Sequence, residues 1–119
     1  MDKFYPGLDL IEKYDRFTDY IYEMIEKAPR RSGWIKEALA KAVLRVPGEI
    51  YTAAKTGQIS RLYVVDASLA EIRWLLRFAV KSKARVITHQ QQKTAMVLIA
   101  EVGSMLASWI KRKQHARRV

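Results

Sequence analysis

From Leu8 to Ile110 the apolar residues recur every three or four positions in four successive stretches, and nowhere do they alternate one by one. A period near 3.6 marks helices that each bury one face, whereas strands repeat every second residue. Such a chain is held to an all-α fold. The connections between the stretches are short, which favours an antiparallel, up-down-up-down four-helix bundle. At 119 residues it fits a single domain, 1–119, with one core and no linker or internal repeat.

The first stretch predicts a helix over 8–28. Tyr14, Phe17, Ile21, Met24, Ile25 and Ala28 share one face, and Glu12, Asp15, Asp19, Glu23 and Glu26 share the opposite one. Asp9 and Glu12 have the spacing of a capping box, and Pro29 forbids easy continuation. Ser32 is the expected N-cap of a second helix over 34–56, whose stripe is Ile35, Leu39, Ala42, Val43, Val46 and Ile50. Pro47-Gly48 interrupts it. A proline there removes one hydrogen bond and crowds the preceding turn, so a kink or two shorter helices are expected. Gly57 suits the end of that helix.

The third stretch, 59–81, is the most informative. Leu62, Val65, Leu69, Ile72 and Leu76 form one apolar face. Tyr63, Ala67, Trp74 and Phe78 form a second, with Val64 and Leu75 beyond. Asp66, Ala70, Arg73 and Arg77 run between them. One face fills the core, and the second needs a partner. In a chain this short that partner is expected to be another copy, giving a homo-oligomer. The fourth helix, 88–113, opens at Thr88 and Gln91, again in capping-box spacing. Leu98, Val102, Met105, Leu106, Trp109 and Ile110 are its core face, Glu101, Ser104 and Ser108 its polar face. Ala100, Gly103 and Ala107 make a face of small residues that lets another helix approach. The expected oligomer interface is therefore Tyr63, Trp74, Phe78, Ala100, Gly103 and Ala107. Residues 114–119 are expected to be a basic tail.

Charge narrows the functional classes. The chain carries 22 Lys and Arg against 12 Asp and Glu, a formal +10. Nearly all of the excess lies in residues 61–119, where the only acids are Asp66, Glu71 and Glu101. Such asymmetry points to an anionic partner. The candidate binding residues are Arg73, Arg77, Lys81, Lys83, Arg85, Lys111, Arg112 and Lys113. Those in the 81–85 loop and at the end of the chain are expected to face solvent as two separate contact zones. Arg73 and Arg77 sit one turn apart in an apolar helix. Spacing leaves two readings open: an ion pair with Glu101 or an acid of the first helix, or a row lining a cavity or the inner wall of an oligomer.

Other chemistry is thin. The absence of cysteine excludes disulfides, thiol catalysis and iron–sulfur ligation, and two histidines, His89 and His115, do not build a common zinc site. There is no phosphate-binding loop, dinucleotide fingerprint or zinc-protease motif. No catalytic residue, metal, cofactor or small-molecule substrate is expected. Met1 to Asp9 has no apolar run, so no secretory signal is expected. Thr94 to Ile110 is the nearest thing to a membrane span, but Glu101 at its middle is costly there. A core helix, and a cytoplasmic protein without membrane contact, is the reading.

Four segments then stand out together: Leu62-Tyr63-x-x-Asp66-Ala67-x-Leu69-Ala70; Leu75-x-Arg77-Phe78; Val97-Leu98-Ile99-Ala100-Glu101-Val102-Gly103; and Ser108-Trp109-Ile110. With Pro29-Arg30 and Gly33, they closely resemble the accessory variability determinant (Avd) proteins of diversity-generating retroelements, over about Tyr14 to Ile110. The region of Pro47 is more similar to the wider set of four-helix proteins encoded in ribosomal-RNA intervening sequences. The resemblance implies a four-helix bundle assembled into a basic pentameric barrel. It also implies a non-catalytic protein that binds a reverse transcriptase and nucleic acid, RNA and possibly DNA, in support of mutagenic copying into a target gene. Arg73 and Arg77 match basic positions associated with those contacts, and Trp74 and Phe78 would help to hold them. Ser104 stands where some relatives have a further basic residue. Two alternatives remain open from the residues alone: a protein-only oligomeric adaptor, and a small helical enzyme binding an anionic substrate through Arg73 and Arg77.

Overall fold

The computed structural model describes residues 6–81 and 84–118. They form four α-helices: α1 (Pro6–Lys27), α2 (Gly33–Thr56), α3 (Ile59–Ala79) and α4 (His89–Arg118). Each helix packs on two others, α1 and α3 both lying between α2 and α4. The body measures 51 × 26 × 21 Å, about the length of its longest helices plus their turns.

Every stripe read from the period of α1 and α2 lies in the core, with Ile25 and Ala28 half-buried at its edge. The acids of α1 are exposed. Leu10 and Ile11 extend the α1 stripe by one turn, because the helix begins at Pro6 rather than at 8. A proline is well placed in a first turn, where its missing N–H has no partner to lose. Asp9 therefore lies inside the first turn and is not its cap.

One local expectation is met in position only, and another is corrected. Ser32 stands at the N-cap of α2, but its side chain makes no capping bond. Its backbone is left-handed (φ 59°) and its hydroxyl donates instead to the Ala84 carbonyl in the α3–α4 turn, at 3.2 Å. Pro47 does not divide α2, which runs unbroken from Gly33 to Thr56. In a helix the amide of residue 47 would serve the Val43 carbonyl. That carbonyl is taken by the buried hydroxyl of Tyr14, which donates to it at 2.6 Å. A side chain from α1 thus satisfies the group that the proline leaves unserved. Burial pushes the Tyr14 phenol well above its ordinary pKa. The negative charge of Glu49 adds to the rise and Arg45 opposes it. The group remains a donor.

Gly57 ends α2 in the left-handed conformation (φ 67°), as expected, and its amide reaches the Ala53 carbonyl. In α3 the first apolar face is buried, and Ser68, Leu75 and Ala79 widen it. Leu75 thus belongs to the core and not to the second face. The α3–α4 turn is not a solvent-facing basic loop throughout. Ala84, Val86 and Ile87 are buried, while Lys81 and Arg85 are exposed. Thr88 and Gln91 make the expected reciprocal capping box at 3.0 and 2.9 Å. The helix they open runs on to Arg118, so the predicted tail is helical up to that residue. By length and composition α4 could cross a membrane. Its apolar face, Ala95, Ile99, Val102, Leu106 and Trp109, is buried in the bundle core.

Candidate nucleic-acid and subunit interface

The second apolar face of α3 is uncovered. Trp74 is 57% exposed and stacks on Phe78 with centroids 5.4 Å apart and planes 14° from parallel. Trp34, at the start of α2, packs tilted against Phe78 with centroids 6.1 Å apart and is 67% exposed. Tyr63 and Val64 carry the apolar surface towards the beginning of α3. Phe78, half-buried, thus packs with two tryptophans that keep more than half of their area in water. Trp34 was missed by the sequence reading. Its position on α2 faces away from the core stripe, and only the pairing of α2 with α3 brings it to Phe78.

Along one edge of this ridge lie the two arginines. Arg73 is half-buried against α4, and its guanidinium lies over Gly103: a β-carbon added there would come within 2.8 Å of an Arg73 nitrogen. The glycine gives the arginine its seat. Arg77 is exposed. Neither pairs with a carboxylate among the described residues. Glu101 instead faces α1, where Lys13 approaches it at 3.8 Å, and Glu71 is taken by Arg45 of α2. Of the two readings left open by spacing, the ion pair with Glu101 or an acid of α1 is not formed among the described residues.

The small residues of α4 belong to the same surface. Ala100, Gly103, Ala107 and Gln114 follow at helical spacing, Ala100 and Ala107 are exposed, and Gln114 donates to the Tyr63 hydroxyl at 2.9 Å. The structure therefore gathers Tyr63, Trp74, Phe78, Ala100, Gly103 and Ala107 with Arg73 and Arg77 across α3 and α4. The other cations lie elsewhere. Lys81 and Arg85 are exposed at the α3–α4 turn. Lys111 and Arg112 are exposed at the far end of α4, beside an open groove shared with Ser108 and His115. Lys113 is half-buried and reaches back towards Gly57. Lys83 falls outside the described residues.

Arg73 and Arg77 line none of three surface clefts, which open between the α1–α2 and α3–α4 turns, between α1 and α2, and at the end of α4. Among the described residues no group of His, Asp or Glu could hold a metal ion. What the arrangement offers is a broad face of aromatic area and unpaired positive charge.

The bAvd-like family model matches residues 9–113. The chain belongs to the bAvd-like family. The match covers all but the ends, and takes in Pro47, Arg73, Arg77 and the aromatic ridge. No curated protein matches the chain. Family membership accords with an accessory-protein role.

Proposed function

We propose that this bAvd-like chain is a non-catalytic accessory subunit of a retroelement reverse transcriptase, working in the cytoplasm. Several copies, five by family analogy, form a barrel of antiparallel up-down-up-down bundles. The barrel presents one contact surface to RNA, and to DNA copied from it, and to the enzyme. The observation that carries this reading is the pairing, on one α3–α4 surface, of an uncovered aromatic ridge with two arginines that have no carboxylate partner among the described residues. The ridge supplies apolar area for a neighbouring subunit, and the arginines supply phosphate contacts. A formal +10 on each copy adds a field that draws in an anionic strand. No covalent step is assigned to the protein: it holds and positions.

Replacing Arg73→Ala with Arg77→Ala tests the site. The double variant keeps the melting temperature and oligomeric state of the parent and loses RNA or polymerase binding. Unchanged binding by an intact oligomer overturns the assignment. The second reading, a protein-only oligomeric adaptor, takes its support from the ridge alone. Filter binding to RNA separates the two, since the adaptor retains no RNA at physiological salt.

A further inference from the structure

At one end of the bundle two turns meet and enclose a cleft of about 590 Å³. Lys27 and Arg31 approach it from the α1–α2 connection, Arg85 and His89 from the α3–α4 connection. None of its lining residues is acidic, and none of its three Lys and Arg side chains makes an ion pair among the described residues. The floor is apolar, built from Pro29, Val86 and Ile87.

The walls are tied together before any ligand arrives. Ser32 donates across the gap to the Ala84 carbonyl, and the amides of Val86 and Ile87 both reach the Ala79 carbonyl, at 2.9 and 3.3 Å. Ser32 and Arg85 are, among the described residues, the two non-glycine residues with positive φ, 59° and 47°. A side chain with a β-carbon takes that conformation at a cost, and such residues gather where a site must keep its shape. Both belong to the two turns that form this cleft. At the start of α4 the Gln91 amide donates to the Thr88 hydroxyl and the Thr88 amide to the Gln91 side chain. Lys27, Arg31 and Arg85 supply the positive charge of the cleft.

We infer that this cleft is a binding site for one nucleotide, separate from the Arg73–Arg77 surface. Lys27, Arg31, Arg85 and His89 take the phosphate, and the floor of Pro29, Val86 and Ile87 takes a face of the nucleoside. The volume falls within the range of small-ligand sites, about 300–1,000 Å³, and exceeds what an inorganic phosphate fills. A free mononucleotide or the phosphorylated end of a strand would present the same chemistry.

Calorimetric titration of the full chain with AMP, adenosine, inorganic phosphate and a 5′-phosphorylated dinucleotide tests this. AMP binds, and adenosine and inorganic phosphate bind at least about tenfold more weakly, since each lacks half of the recognised group. Arg31→Gln with Arg85→Gln weakens AMP by a further factor of at least about ten, at an unchanged melting temperature. Should that double variant melt early, Lys27→Gln on the exposed end of α1 gives the same reading. Tighter binding of AMP than of the dinucleotide identifies a free nucleotide as the source, and the reverse order identifies a strand end. Inorganic phosphate as tight as AMP, or AMP binding indifferent to these substitutions, overturns the inference. Arg73→Ala with Arg77→Ala leaves AMP binding intact, so failure of this cleft and failure of the α3–α4 surface are told apart.

Discussion

Tyr14 and Gly103 show how much one residue decides. Tyr14→Phe removes a hydroxyl and leaves the Val43 carbonyl buried without a partner, because Pro47 has no amide to offer it. The expected loss is about 1–3 kcal/mol in chemical denaturation. A pH dependence follows from the same burial. The phenol titrates above its ordinary pKa of 10.0 in the folded chain, so the unfolded chain gives up that proton first. Stability from this group is complete below about pH 10 and falls as the pH rises beyond it. Tyr14→Phe flattens that alkaline decline, which denaturant midpoints at pH 9 and 11 will show. At Gly103 the effect on binding is opposite to the effect on stability. Gly103→Ala gains up to about 1 kcal/mol of helix propensity. Its methyl, however, meets only the far end of the Arg73 side chain, which swings away. The variant melts no lower than the parent and binds RNA as weakly as Arg73→Ala.

At the scale of the element, α2 is the one whose continuity depends on a neighbour. Pro47 in an isolated helix costs about 3 kcal/mol, yet α2 crosses it because Tyr14 of α1 takes the exposed carbonyl. The two residues are therefore coupled. In a Pro47→Ala background the restored amide serves Val43, and Tyr14→Phe costs less than in the parent. A double-mutant cycle should give a coupling of about 0.5–1.5 kcal/mol, and additive losses would refute the link. Much of each helix was legible from period alone. The buried faces of α1, α2 and α3 were read correctly, as were the α4 capping box and the glycine that closes α2. What period could not show was the partner of Val43 and the role of Ser32, since both depend on atoms from other elements.

For the whole molecule, the ridge of Trp34, Trp74 and Phe78 is expected to be the adhesive surface of the assembly. Trp74→Glu puts a charge at its centre, at a side chain that is itself mostly exposed. Sedimentation of this variant is expected to show a folded monomer, and an unchanged oligomer would place the contact elsewhere. RNA affinity of the parent is expected to fall steeply with salt, the slope of log affinity against log salt growing by roughly 0.7 for each phosphate neutralised on a single strand. A flat response would exclude the cations as phosphate contacts. At the same scale lies the part of the candidate site that could not be read beforehand. Arg73 and Arg77 were found by spacing, but whether Glu101 would neutralise them depended on which way α4 faced. It turns Glu101 to Lys13 of α1, and Gly103 to Arg73.

The sequence by itself determined that this chain is helical, roughly where its four helices run, which side of α1, α2 and α3 enters the core, and that α3 carries an apolar face with nothing of its own to cover it. Those are properties of one segment at a time, and a 3.6-residue period encodes them locally. On α4 the buried face is turned towards Ala95 and Ile99, leaving the expected Leu98, Met105 and Ile110 half-buried. Only the tertiary structure decided which polar groups answer one another. Tyr14 rescuing the carbonyl behind Pro47, Trp34 joining the ridge, Gly103 seating Arg73 and two distant turns closing a basic cleft all join residues 29 to 52 positions apart or more, through contacts that no local pattern records.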